Sequence, residues 1–172
     1  MKSLLIITED FTPQVGGVAR YYQGLADTLG NQVTILTNIN GPSSPCVIRT
    51  KWSWFIWPHW LPLIWKVFCV KRRLKCNILA AGQILPIGSA LLVLYWLCHW
   101  PYIVFAHGLD ITSTQHSFWK RNLAKIIFKK AQAVIANSEF TKKLCLNAGA
   151  NLDKITVDRK STRLNSSHVS ES

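Results

Sequence analysis

Three short segments hold the residues from which chemistry could be built. In TEDFTPQVGGVARY, Gly16 and Gly17 stand directly before a run with helical spacing. Two glycines there let backbone N–H groups approach an anion, and the helix dipole favours negative charge at that end. The pair is neither a G-x-G-x-x-G dinucleotide pattern nor a phosphate loop ending in Gly-Lys-Ser/Thr. A plain strand-to-helix turn accounts for it as well. In YIVFAHGLDIT, His107 follows a β-branched, aromatic run. An imidazole there can hydrogen-bond a sugar hydroxyl or a carbonyl, or exchange a proton near neutrality. A structural histidine is the plainer reading. Asp110 suits a helix or turn cap, and no second carboxylate is spaced to make a glycosidase pair with it. In AVIANSEFTKKL, Asn137 and Ser138 open another helical run, either as a site or as an ordinary N-cap. His59, His99, His116 and His168 have no supporting context.

The elements that position these segments alternate. Leu4 to Thr8 reads as a buried strand, and Glu9 to Gly17 as a loop. Val18, Tyr22, Leu25, Ala26 and Leu29 recur at helical spacing, with Gly30 as the stop. Gln32 to Thr37 is a second strand. A strand, glycine-bearing loop, helix and strand open a parallel α/β sheet. Cys46 to Arg49 fits a third strand and Leu61 to Lys75 a helix, with Pro62 in its first turn. Asn77 to Ala81, Tyr102 to Ala106, Ala133 to Ala136 and Ile155 to Val157 read as further strands. Trp119, Leu123, Ile126 and Ile127 mark one face of a helix, and a last helix runs from Ser138 to near Gly149. In such a sheet the carboxyl ends of the strands face the ligand crevice, which is where all three segments fall.

Composition narrows the class. The chain has 172 residues, 49% hydrophobic and 16% charged, enough for one globular core and too apolar for disorder. Cys46, Cys69, Cys76, Cys98 and Cys145 are scattered, with no pair three apart, which argues against a zinc knuckle and for thiols in a reducing compartment. Leu4 to Ile7 is too short for a signal peptide. The net charge is +12, and between Asp27 and Asp110 there is no carboxylate, only Arg49, Lys51, Lys66, Lys71, Arg72, Arg73 and Lys75 among the charged residues. Trp52, Trp54, Trp57, Trp60 and Trp65 fall in the same stretch. Cations beside clustered rings suit a membrane–water interface or single-stranded nucleic acid. They equally suit a hydrophobic helix with a basic last turn. At about 100° per residue Lys71 to Lys75 do not share one face, which weighs against an ideal surface-lying helix. Ile84 to Ala106 is apolar enough to span a bilayer, but Pro86, Gly88 and Pro101 favour a buried helix followed by a buried strand. Asp158 to Ser172 (DRKSTRLNSSHVSES) cannot form core. It is expected to be disordered and to be vector-derived rather than native.

FTPQVGGVARYYQGLADTL, FAHGLD, AVIANSEFTKKL and KITV, in that order over residues 3–157, resemble the N-terminal half of glycosyltransferase family 4, the retaining nucleotide-sugar enzymes of the GT-B fold. The resemblance implies one Rossmann-like α/β domain over 1–157 with a parallel sheet, the acceptor side of a two-domain enzyme, followed by the tail 158–172. It implies that Gly16 and Gly17 lie near the donor phosphates, that His107 is catalytic through contact with the transferred sugar, and that Asn137 and Ser138 line the same cleft. The donor is then a nucleotide-sugar, the acceptor a lipid-linked or polysaccharide glycan, and no metal or other cofactor is expected. Trp57, Trp60, Trp65, Lys66, Lys71, Arg72, Arg73 and Lys75 would form a membrane or acceptor surface on the inner face of the cytoplasmic membrane. Nucleic acid is not an expected partner. Without its C-terminal donor domain the chain is expected to be inactive alone. The competing reading is a non-catalytic, Trp-rich basic module that binds membrane surfaces. Sugar, nucleotide, linkage and oligomeric state are not encoded in any of these motifs.

Overall fold

The computed structural model describes residues 4–42, 44–52, 58 and 60–158. Its strands are β1 (Leu4–Thr8), β2 (Val33–Thr37), β3 (Val47–Arg49), β4 (Ile78–Ala81), β5 (Tyr102–Ala106), β6 (Ala133–Ala136) and β7 (Ile155–Val157). The helices are α1 (Gly17–Leu29), α2 (Leu61–Leu74), α3 (Ile87–Cys98), α4 (Gly108–Gln115), α5 (Phe118–Lys130) and α6 (Glu139–Asn147). The strands pair in the order β3-β2-β1-β4-β5-β6-β7, all parallel. This is the Rossmann-like α/β sheet anticipated from the sequence. Parallel strands are buried on both faces, which is why β1 reads as an apolar run and β2 is buried at every position, its two threonines included.

The two faces of the sheet are covered unequally. On one, Leu5, Ile7, Leu79, Val104 and Val134 pack against α2, α3, α5 and α6 through Leu63, Val67, Leu91, Ala124, Ile127 and Cys145. On the other, Ile6, Ile35, Ala80 and Phe105 meet α1 through Tyr22 and Ala26, closed by Phe11. Among the described residues α1 is the one crossover helix on that side, and Ile103 and Ile135 there are only partly buried. Gly30 ends α1 at φ +49°, a backbone angle that glycine tolerates and L side chains rarely adopt.

As expected, the apolar stretch 84–106 divides into a helix, α3, a turn and a strand, β5. With α3 only 12 residues long, no helix among the described residues is long and apolar enough to cross a membrane. Helix α4 was not foreseen. The face of α5 differs from the expected one: Ala124, Ile127 and Phe128 are buried, whereas Trp119 and Ile126 are exposed. The buried stripe shares Leu123 and Ile127 with the expected one but is turned towards Ala124 and Phe128, a choice that spacing alone did not settle. Asp158, expected to begin the tail, is held by the fold: its N–H donates to the Ala136 carbonyl at 2.8 Å, and its carboxylate accepts from the Tyr21 hydroxyl at 2.9 Å. Residues 159–172 lie outside the described residues.

Gly82, directly after β4, lies close against the end of β1. Its N–H donates to the Ile7 carbonyl at 2.7 Å. A Cβ there would lie 2.7 Å from Thr8 Cβ and 2.8 Å from the Ile7 oxygen. Gly82→Ala should therefore cost about 2 kcal/mol or more, as overpacking against immobile backbone does. Urea unfolding of the two chains measures it, and equal midpoints would contradict the close approach.

Candidate functional site

Each strand of a parallel sheet ends at the same edge, so the segments that follow β1, β4, β5 and β6 converge there. Thr8 closes β1 and its hydroxyl turns the chain, accepting from the Asp10 N–H at 3.0 Å. Gln83, from the segment after β4, is buried and ties the first two segments together. Its amide donates to Asp10 Oδ2 at 2.6 Å and its oxygen accepts from the Glu9 N–H at 3.2 Å. His107 follows β5 and serves as the N-cap residue of α4 in extended conformation, although its side chain does not make the cap bond. The ring is 6% exposed. Its Nε2 lies 3.0 Å from the Tyr22 hydroxyl, and that hydroxyl donates to the Gly82 carbonyl at 2.8 Å. Tyr21 and Tyr22 both meet the imidazole edge-to-face, at 6.0 and 5.7 Å between centroids.

Burial dominates the electrostatics of this edge. It lowers the His107 imidazole from 6.5 to about 4, with the Asp10 charge a lesser, opposing influence. It raises the Asp110 carboxyl from 3.8 to about 7, and the Asp10 charge adds to the shift. His107 Nδ1 and Asp110 Oδ2 are buried and without hydrogen-bond partners among the described residues. His107 is therefore neutral near pH 7, and Asp110 holds its proton far above the usual carboxylate range.

The other expected site residues divide. Gly16 and Gly17 are exposed at the start of α1. Gly16 has extended backbone at φ 172°, and a Cβ on either would meet nothing within 4 Å. Neither backbone strain nor packing within the chain accounts for these glycines. Ser138 caps α6, accepting from the Thr141 N–H at 3.1 Å. Asn137 Oδ1 accepts from the Thr141 hydroxyl at 2.6 Å. Both side chains are thus used by the first turn of α6, which fits the ordinary capping role that the sequence left open. Gly108 packs beside Thr141, so the His107 and Asn137 segments are adjacent.

The residues of the expected basic surface divide among the described residues. Trp57 lies outside the described residues. Trp60 is partly buried and sits at the start of α2, while Arg72, Arg73 and Lys75 are exposed at its other end, about 20 Å along the axis. Lys71 is not a surface residue. It is 8% exposed, its ammonium donates to the Cys76 carbonyl and lies 4.9 Å from the Trp100 ring, and burial lowers its pKa. One residue, a step of about 100° around the helix, separates the fates of Lys71 and Arg72: the former points at the core, the latter lies over Phe68 at 5.0 Å. Lys66, Arg72 and Arg73 share the exposed side with Trp65, which stacks on Phe68 at 5.8 Å.

A feature that sequence reading missed lies nearer the site edge. A groove of about 450 Å³ is lined by Trp60, Leu85, Pro86, Ser113, Trp119 and Leu123, with Lys120 among them. Beside it Phe118 and Trp119 are exposed, with Arg121 over the first ring at 5.6 Å and Lys120 over the second at 5.8 Å. The signal was the run Phe118-Trp119-Lys120-Arg121, absorbed into a helix face when read for spacing alone.

The opposed shifts of His107 and Asp110 have a measurable consequence. An imidazole that binds its proton less well folded than unfolded loses stability on acidification, here from about 6.5 down to 4. A carboxyl that binds its proton better when folded loses stability as pH rises, here from about 4 to 7. Asp110→Asn should therefore be more stable than the parent by about 1–3 kcal/mol at pH 8, with the gap closing towards pH 4. Urea unfolding at each pH reads this, and a gap independent of pH would contradict the raised carboxyl.

Comparison with known proteins places this edge in context. The profile of Glycosyltransferase Family 4 matches residues 15–157. No curated protein matches the chain significantly. Among solved structures, Anabaena Alr3699/HepE in complex with UDP-glucose superposes with a TM-score of 0.67 at 17% identity, over 90% of this chain and 43% of that one. The same protein in complex with UDP and glucose gives 0.68 at 19%, over 91% and 44%. The UDP-GlcNAc 2-epimerase from Methanocaldococcus jannaschii gives 0.56 at 13%, over 90% and 44%. The chain thus spans less than half the length of these structures and shares the fold of half of a GT-B enzyme. Matched over most of its length to that profile, the chain belongs to glycosyltransferase family 4 as its N-terminal domain.

Proposed function

We propose that this chain is the acceptor-side half of a retaining glycosyltransferase that moves a sugar from a nucleotide-sugar to a lipid-linked or polysaccharide acceptor, and that residues 1–157 are inactive without a donor-side half. The observation that carries the reading is the pair Gly16-Gly17. The fold has no use of its own for two glycines at the exposed start of α1, whereas a donor diphosphate needs bare backbone N–H groups at a helix N-terminus. His107 sits at the same edge of the sheet, and in this reading it is the residue that contacts the transferred sugar. Asn137 and Ser138 shape the adjoining wall through Thr141. A nucleotide-sugar donor is in keeping with the UDP-glucose bound by Anabaena Alr3699/HepE. No metal is called for by this reading. Residues 159–172 are proposed to be non-native, which sequencing of the source DNA past the codon for Val157 decides.

A lipid-linked acceptor is favoured by the groove between Trp60 and Trp119, which opens beside α4, the helix that His107 caps. Exposed rings with cations over them, as at Phe118 to Arg121, suit the headgroup level of an anionic bilayer. The acceptor half would then rest peripherally on the cytoplasmic leaflet. The competing module reading, membrane binding with no catalysis, makes Gly16, Gly17 and His107 dispensable.

In the enzyme carrying both halves, Gly16→Ala and Gly17→Ala should each lower kcat/KM on the order of 100-fold by pushing the donor out of register. In the present chain the same changes should alter the unfolding free energy by no more than about 1 kcal/mol. Loss of stability instead of activity would make the glycines structural. Purified alone, the 172-residue chain should show no sugar transfer. With anionic vesicles at low salt it should sediment, and Trp119→Ala with Lys120→Ala should weaken that binding about tenfold or more. Failure of the parent chain to bind would remove the membrane reading while leaving the glycosyl-transfer reading in place.

A further inference from the structure

The Tyr22 hydroxyl has one proton and two neighbours: the Gly82 carbonyl oxygen at 2.8 Å and His107 Nε2 at 3.0 Å. The carbonyl can only accept, so only one arrangement makes both bonds. Tyr22 donates to Gly82, and Nε2–H donates to the Tyr22 oxygen. The reverse arrangement, with Tyr22 donating to a bare Nε2, leaves Gly82 without that bond. It also moves the ring proton to Nδ1, which is buried and has no partner among the described residues. That would bury an unsatisfied donor and forfeit a hydrogen bond at once. The phenol that makes this choice is itself wholly buried, packed edge-to-face on Phe105 at 5.7 Å, so its hydroxyl has no freedom to turn to water.

We infer that Tyr22 is a positioning residue that holds His107 as the Nε2–H tautomer and leaves Nδ1 as a bare hydrogen-bond acceptor. The ring carries no positive charge, its Nε2–H is spent on the Tyr22 oxygen, and its bare Nδ1 is buried, so the tautomer is set inside the chain and does not depend on the proposed glycosyl-transfer function. The charged and titratable groups around the ring are Asp10, Tyr21, Tyr22 and Asp110. Burial, opposed by the Asp10 charge, leaves the imidazole neutral above about pH 4. Tyr22 also couples the ring to the Gly82 turn, and through Gln83 of that segment to Asp10, so three strand ends share one hydrogen-bonded support.

The test is 15N nuclear magnetic resonance of the 172-residue chain labelled at histidine, with His107 assigned by the loss of its signals in His107→Gln. Two-bond proton–nitrogen correlations separate a pyrrole-type nitrogen from a pyridine-type one. The expected result is a pyrrole-type Nε2 and a pyridine-type Nδ1, unchanged between pH 8 and pH 5.5. A pyrrole-type Nδ1, or two averaged nitrogens, overturns the proposal. In Tyr22→Phe the Nε2–H loses its acceptor, and the two nitrogens should move towards averaging. A folded variant with the parent pattern would overturn the role of Tyr22. Should Tyr22→Phe fail to fold, replacing tyrosine with 3-fluorotyrosine keeps the size and weakens the oxygen as an acceptor. The His107 Nε2 proton resonance should then shift, and an unmoved resonance overturns the proposal equally. None of these readouts requires sugar transfer, so an inactive full enzyme and a wrong tautomer are separate results.

Discussion

Every strand pairing in this sheet is parallel, and a parallel pair cannot be closed by a hairpin. Each strand must be followed by a return across the sheet before its neighbour can start. The consequence is geometric. All strand ends that could carry chemistry fall on one edge, and the segments at that edge come from distant parts of the chain. Thr8, Gly82, His107 and Asn137 are neighbours in space for this reason alone. The edge needs no dedicated scaffold, because the core that stabilises the strands also fixes where each one stops.

Tyr22 shows how closely core and site are joined. Its ring belongs to the apolar cluster between α1 and the sheet, and its hydroxyl bridges the ends of β4 and β5. The same burial that packs the ring removes water from His107 and Asp110. Desolvation disfavours whichever form is charged, so it drives the imidazole down and the carboxyl up without any ion pair. Perturbed groups of this kind, clustered where strand ends meet, are what a reacting centre requires and what a purely structural domain has little reason to keep.

The elements themselves could be read from sequence because buried parallel strands are short, apolar and β-branched, and because glycines and prolines mark their ends. Leu4 to Thr8 and Tyr102 to Ala106 are of this kind, and the Rossmann-like sheet followed from them. The three candidate segments were visible for the same reason. The partner of a buried side chain was not visible. Tyr22 looked like one more apolar position of a helical stripe, and nothing local announces that its hydroxyl meets residues 82 and 107. Lys71 and Arg72 were equivalent as letters, and only the packing of α2 on α3 sends one inward over Trp100. On α5, apolar residues on both sides left the choice of buried face to tertiary contacts.

The position of β1 in the sheet bears on how the chain comes off the ribosome. One edge of β1 is closed by β2, which follows it by a single helix, but the other pairs Leu4 with Ile78. At ordinary elongation rates roughly a few seconds separate the emergence of β2 from that of β4. For that interval β1 presents an open row of backbone N–H and C=O groups beside Leu5 and Ile7, the arrangement most prone to pairing with another chain. Slow translation between residues 38 and 77 lengthens the exposure. The yield of folded protein is then set in part by the tempo of synthesis and by chaperones that occupy the waiting edge, and not by the stability of the finished sheet alone.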